Sequence, residues 1–388
     1  MTLSRLRPPP AVPGLAPICW EAPLLDRSGY AAEAREFVLG LSALGLPVRA
    51  TPAPWGSCRR AVDAPTRTRL RRLMRARIGA PVAHVHHLFP PMWRIRHRSA
   101  LQIGRTMFET DRIPPAWVRL CNAMDEVWTP GRFTVESFAA SGVRREKLVA
   151  VPSPICMADY DPATPPLDIP GLRGFVFLSV FDWSVRKGWD LLLHAFATEF
   201  ARDHDDVTLL LHVHSSHGVT GRELGELVDR FLRRRLGRSL RRVPPIKLLT
   251  RALAPEDLRR LYAAADCFVL PTRGEGWGRP LMEAMAMRRP AIATRWSGQL
   301  EYMTDRNAYL CAVERLVRVP PHALREAPAF RGHYWAEPSI DDLRRLMRRV
   351  VQRPAEARAK GERARVDVAR TCDVEVVCRQ ILARLGAA

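Results

Sequence analysis

Short apolar runs alternate with helical patterns along most of this chain, and turn formers separate them. In the first half, Ala34, Phe37, Val38, Leu41 and Leu44 recur at helical spacing, and Gly45 stands where a left-handed cap would end that helix. Strands are predicted over 82–88, 101–107, 126–129 and 148–152. A stretch rich in proline and turn formers, around 159–171, reads as a linker. The alternation then restarts. Strands are predicted over 175–180, 207–213, 246–249, 267–271 and 291–294, and helices over 190–200, from Pro255 through Leu258, Leu261 and Tyr262, and over 280–287. Ser339 and Asp342 make a capping-box-like start for a helix carrying Leu343, Leu346 and Met347. Repeated strand–helix alternation predicts parallel sheets covered on both faces, here as two doubly wound domains on either side of the proline-rich join. The expected division is 1–165 and 166–372, with a last helix at about 373–386 packing back on the first domain.

Composition narrows the class. The 388 residues exceed one core, and 47% hydrophobic content suits an ordered globular protein. No run approaches the roughly 18 apolar residues that span a bilayer. The opening MTLSRLRPPPAVPGLAPICW is basic and proline-broken, and reads as a disordered leader rather than a signal peptide. A cytoplasmic location is therefore expected. The eight cysteines form no C-x-x-C pair or zinc spacing and read as reduced, mostly buried thiols. The net charge is +21, almost all from arginine, because lysine occurs only at 147, 187, 247 and 360. Such a surface is either simply solvated or attracts anions such as nucleotide donors, an anionic membrane face or nucleic acid. The cluster FLRRRLGRSLRR (231–242) fits a solvated helix face or an amphipathic membrane-surface helix. No helix-turn-helix, RRM or zinc-finger pattern supports nucleic-acid reading.

Candidate chemistry concentrates in RGEGWGRPLMEAMA, residues 273–286, directly after a predicted strand. Gly274, Gly276 and Gly278 allow a ligand close to the backbone. Pro280 opens a helix whose N-terminus offers unpaired N–H groups to an anion. Glu275 and Glu283 lie seven residues apart on the loop and helix. Arg279 occupies the place of a third nucleotide-fingerprint glycine, and no Walker A sequence occurs, so dehydrogenase and ATPase readings lose their support. A second cationic element, Arg186-Lys187-Gly188, lies between a strand and a helix and suits a diphosphate. Charged hydrogen bonds there, about 1.5–3 kcal/mol each, outweigh a helix dipole of about 0.3–1 kcal/mol. His84 and His86 share one strand face and His87 the other, which favours polar or core packing over one metal site. Trp183, Trp189 and Trp277 suit either a core or stacking on a sugar or base.

These motifs, together with SGYAAEAREFVLGLSALG, DEVWTPGRFTVESF, VPSPI and LRRLYAAADCFVLPTRGEGWG, resemble a retaining glycosyltransferase of family 4 from about Gly29 to the last helix. The resemblance implies a GT-B fold, with two Rossmann-like domains facing across a cleft, an acceptor-side N-terminal domain and a donor-binding C-terminal one. It implies transfer of a hexose-like sugar from a nucleoside diphosphate-sugar to a hydroxyl acceptor, such as a cell-envelope or polysaccharide glycan, free or lipid-linked. Glu275 matches the glutamate that contacts donor-sugar hydroxyls, Glu283 the one that holds the ribose, and Lys187 the lysine that neutralises the departing diphosphate. The backbone at Gly276, Trp277 and Gly278 would lie against sugar and phosphate, and Gly29 would admit the donor phosphate. No metal or other cofactor is implied.

Three departures stand out. Asp182 occupies the place of a common arginine, so Arg186 is expected to take over that charge. Glu109, with Asp111 near, stands where many members carry a histidine. It either orients or deprotonates the acceptor hydroxyl, or pairs with Arg112. Arg288-Arg289 replaces the glycine usual after the motif helix, which affects a turn rather than chemistry. Peripheral attachment at an anionic membrane is a further expectation. The alternative function is a non-catalytic basic protein of two domains that binds an anionic polymer or membrane surface.

Overall fold

The computed structural model describes residues 16–55, 62–95, 100–214 and 220–386. Cys58 and most of the expected leader lie outside them. Two compact units emerge. The first comprises residues up to Asp159 together with those from Ala369, and the second runs from Tyr160 to Val368.

Unit 1 holds β1 (Ile18–Ala22), α1 (Gly29–Ala43), β2 (Val48–Pro52), α2 (Ala64–Met74), β3 (Ala83–His87), β4 (Leu101–Arg105), α3 (Pro115–Ala123), β5 (Glu126–Thr129), α4 (Arg132–Ala140) and β6 (Leu148–Ala150). The six strands form a parallel sheet in the order β2-β1-β3-β4-β5-β6. The leader reading is corrected at its end: Ile18, Cys19 and Trp20 belong to β1, buried near the middle of the sheet. Prolines at 8–10, 13 and 17 hid a five-residue strand too short to show a period. β2 escaped for the same reason. Helix α1 ends as its pattern predicted, with Gly45 at φ 88°.

Unit 2 holds β7 (Phe175–Asp182), α5 (Trp189–Glu199), β8 (Val207–His214), α6 (Gly221–Leu236), β9 (Ile246–Leu249), α7 (Pro255–Ala263), β10 (Cys267–Leu270), α8 (Arg279–Ala286), β11 (Ala291–Thr294), β12 (Tyr309–Cys311), β13 (Val313–Arg318), β14 (Tyr334–Pro338) and α9 (Ile340–Gln352). Its parallel sheet runs β12-β11-β10-β7-β8-β9, with β13 and β14 a separate antiparallel pair. Strand order reverses between β7 and β10, so the loops leaving these two neighbours flank the crevice where doubly wound sheets bind ligands. In α6, Leu224, Val228 and Leu232 are buried, so this helix turns its apolar residues into its own unit and leaves arginines outside. That is the solvated-face reading of the 231–242 cluster. Among the described residues, no helix is long and apolar enough to cross a membrane.

α10 (Pro354–Cys372) begins in unit 2, and α11 (Val374–Gly386) belongs to unit 1. α11 packs on α1 at Gly40, where an added Cβ would lie 2.5 Å from Val374 and 2.8 Å from Cys378. The seven described cysteines are all buried, and none of them is in a disulfide.

Candidate functional site

Two loops of unit 2 converge at the switch point. The first follows β7: Val185, Arg186 and Lys187 form a single 3-10 turn, and Gly188 adopts a left-handed φ of 69° to start α5. The second follows β10 and carries residues 271–278. They meet closely enough to require glycine, since a Cβ on Gly188 would sit 2.0 Å from the Pro271 carbonyl oxygen. Backbone bonds lace them together, with Arg273 N–H donating to Arg186 O at 2.7 Å.

This crossing brings three of the sequence-predicted residues into contact. Lys187 Nζ lies 2.6 Å from Glu275 Oε1, with Arg186 Nη1 3.3 Å from the same oxygen. Arg186 also donates to Gly274 O at 2.6 Å. Thr272 Oγ1 adds a hydrogen bond to Glu275 Oε1 at 2.9 Å. Lys187 and Glu275 are both buried. Burial pushes the Glu275 carboxyl up, but Lys187 and Arg186 outweigh it and hold the group below its ordinary value. Two cations around one carboxylate leave a net positive locus, suited to a polyanion. Asp182 is the last residue of β7, and the arginine beside Lys187 supplies the second cation.

The glycine loop is braced from behind. Glu275 N–H donates to Ser297 Oγ at 2.9 Å, and Ser297 itself is held at φ 80°. A Cβ on Gly298 would lie 2.1 Å from Gly276 O, so two backbones touch there. Tyr302 OH donates to the carbonyls of Trp277 (3.0 Å) and Gly278 (2.8 Å). The Trp277 ring is 2% exposed, packs on Tyr302 and donates to Met282 Sδ at 3.2 Å. Of its two readings, the core one holds. Trp183 likewise stacks on Trp189 at 4.6 Å.

Gly278, with φ 87°, caps α8, whose early turn contains Pro280. Glu283, one turn further, accepts from Tyr262 OH at 2.9 Å, with Arg279 Nη2 3.5 Å away. Burial, and then the Glu283 charge, push the Tyr262 phenol well above its usual range, so it stays a donor. The carboxylate is thereby aimed by a fixed partner.

Arg273 was not among the predicted site residues. It is 5% exposed and bonds Asp190 on α5 (2.8 and 2.9 Å), Glu337 on β14 (2.9 and 3.0 Å) and Val185 O (2.7 Å). One guanidinium thus ties the Lys187 turn, α5 and the hairpin to the glycine loop. Its only sequence signal was adjacency to Gly274.

In unit 1, Gly29 is the first residue of α1, whose cap is Ser28. Glu109 follows β4 and is half-buried. Arg112 bonds the carboxylate of Asp111, at 2.9 and 2.7 Å.

Two parallel-sheet α/β units of this kind are the GT-B fold of glycosyltransferases. Residues 173–319 match the family described as glycosyl transferases group 1. Among curated proteins, mannosylfructose-phosphate synthase of Agrobacterium fabrum is 31% identical over 133 residues, covering 33% of this chain and 27% of that protein. The chain thus spans about a quarter of the length of that relative. Similar solved structures include HepE of Anabaena with UDP-glucose (TM-score 0.67, 15% identity, 96% of this chain and 99% of that one). Sucrose-phosphate synthase of Thermosynechococcus elongatus also aligns (TM-score 0.66, 16% identity, 95% and 98%). At these identities the structures speak to the fold alone.

Proposed function

We propose that unit 2 binds a nucleoside diphosphate-sugar and that the protein transfers the sugar to a hydroxyl acceptor with retention of anomeric configuration. The observation that carries this is the meeting of Lys187, Arg186 and Glu275 at the topological switch point, one turn from the α8 N-terminus. As the bond to the anomeric carbon breaks, negative charge develops on the diphosphate. Lys187 and Arg186 are held where they neutralise it, and the N–H groups opening α8 add to them. No metal is needed in this reading, because fixed cations supply the charge. Glu275 receives donor-sugar hydroxyls, and its anion offsets positive charge building at the anomeric carbon. Glu283, aimed by Tyr262, holds the ribose hydroxyls. On unit 1 we assign Gly29 to admitting the donor phosphate and Glu109 to orienting or deprotonating the acceptor hydroxyl.

Support for the donor class comes from the family match, which spans both site loops. The acceptor class we propose is a glycan, free or lipid-linked. A thermal-shift screen of nucleoside diphosphates and their sugars tests the reading. A donor at 100 times its dissociation constant should stabilise by about 2.7 kcal/mol. Glu283→Ala should raise the donor KM, and Glu275→Ala should lower kcat more than it changes KM. Lys187→Ala should lower kcat by about 100- to 1,000-fold. Salt-sensitive binding of any polyanion, with no response to any nucleoside diphosphate, would instead favour a non-catalytic basic protein.

A further inference from the structure

A second cluster of chemistry-bearing side chains lies in unit 1, on the face of the β1–β3–β4 sheet opposite His87. In the parallel pairing of β1 with β3, Glu21 stands beside His86 and Cys19 beside His84. Strand alternation therefore puts Glu21, His84 and His86 on one face. Glu21 Oε2 lies 3.2 Å from His86 Nδ1 and 4.0 Å from His84 Nε2, and the two imidazoles stack with centroids 4.2 Å apart. One ligand atom from each residue falls within 4.8 Å of the others. All three residues are buried, His86 completely.

The hydrogen bonds around His86 define which nitrogen faces the carboxylate. Gln102 Nε2–H donates to Ala100 O at 2.9 Å, which orients the amide with Oε1 toward His86. His86 Nε2 lies 3.1 Å from that oxygen and so carries the proton donated there. In the neutral ring, Nδ1 then holds a lone pair pointing at Glu21 Oε2. A cation lying between the two atoms would engage both lone pairs at once. An amide oxygen on the far ring nitrogen is also the arrangement that orients a metal-ligating histidine.

We propose that Glu21, His84 and His86 bind one divalent transition-metal ion of the Zn2+ class, through Glu21 Oε2, His84 Nε2 and His86 Nδ1. Zinc–nitrogen bonds of about 2.0–2.1 Å place tetrahedral ligands about 3.3 Å apart. The Glu21–His86 separation already matches, the Glu21–His84 pair has to close by only a fraction of an ångström, and the stacked His84 and His86 rings, whose ligand atoms lie within 4.8 Å, have to rotate so that both nitrogens aim at one ion. Two imidazoles and one carboxylate favour zinc over the hard cations, which take oxygen ligands. All three ligands sit on paired strands, so the ion would staple β1 to β3. Its role is structural, and it is independent of the donor site on unit 2.

The test uses tag-free, full-length protein stripped with a chelator and titrated with Co2+, then with Zn2+. One equivalent of Co2+ should bind with visible d–d absorption, be displaced by Zn2+ and raise the unfolding temperature. Glu21→Gln and His86→Asn should each weaken Co2+ binding by at least about tenfold, and Gln102→Ala by about 10- to 100-fold. Absence of uptake by the wild-type protein would overturn the site. Uptake unchanged in Glu21→Gln, which keeps the side-chain shape and is checked for folding by circular dichroism, would overturn it equally. That variant decides the matter should His86→Asn not fold.

Discussion

Arg288 follows the motif helix with φ 58°, in the region that favours glycine. Its departure from the usual glycine is thus a matter of backbone strain rather than chemistry. Left-handed backbone costs an ordinary residue about 1–2 kcal/mol, and the exposed Arg288–Glu362 pair at 3.1 Å offsets little of that. Arg288→Gly should therefore raise stability by up to about 1 kcal/mol, read as a higher chemical-denaturation midpoint with unchanged slope. Gly188 is the opposite case. Its left-handed φ and the 2.0 Å approach of a Cβ to Pro271 O mean that Gly188→Ala must push the two loops apart. Nucleoside diphosphate affinity should fall by about tenfold or more, because a displacement of about 1 Å misplaces Lys187. Glu275 and Glu283 were legible from spacing and flanking glycines. The Lys187–Glu275 contact was not, because it joins residues 88 positions apart.

Arg273 acts between elements. Its guanidinium links α5, the β13–β14 hairpin and the turn before Lys187, and its ring contact with Trp335 covers one face. Removing a buried, fully paired charge while leaving Asp190 and Glu337 behind costs about 3–5 kcal/mol. Arg273→Gln should lower the unfolding temperature and weaken nucleoside diphosphate binding together. Arg273→Lys, which keeps charge but loses the planar fork, should recover stability more than binding. Equal recovery of both would reduce the residue to a structural role. The strand–helix alternation of unit 2 was readable because its strands are continuous apolar runs. The β13–β14 pair was missed, because VERLVR mixes charge and apolar residues and its partner YWAEP is five residues long and ends in a proline.

At the level of the whole molecule, many of the arginines are bound up in ion pairs, which leave the net charge of +21 unchanged. One of them sets acid stability. In unit 1 the buried Glu33 meets Arg105 and, at 3.2 Å, His87. Burial pushes the Glu33 carboxyl up, yet Arg105 and His87 bring it down to about 2. Because the folded value lies below the ordinary one of 4.5, its stabilisation is complete above pH 4.5 and is lost as pH falls toward 2. Glu33→Gln should cost about 3 kcal/mol at neutral pH and flatten the pH dependence of unfolding in that window. α11 belongs to the same balance, burying Val374, Val377, Cys378 and Ile381 against unit 1. A chain truncated after Val368 exposes that face of α1. With buried aliphatic side chains contributing about 1.5–3 kcal/mol each, unit 1 should lose its cooperative unfolding transition.

Local periodicity and turn chemistry were enough to read two α/β halves, the glycine loop and a pair of acidic residues seven apart, since each depends on neighbours along the chain. Short strands beginning among prolines escaped, as β1 did, because five residues carry too little period. Which cation meets which carboxylate, the clamp at Arg273, and the gathering of Glu21 with His84 and His86 were settled by strand order. Sheet pairing brings distant residues side by side, and no spacing along the chain encodes that proximity.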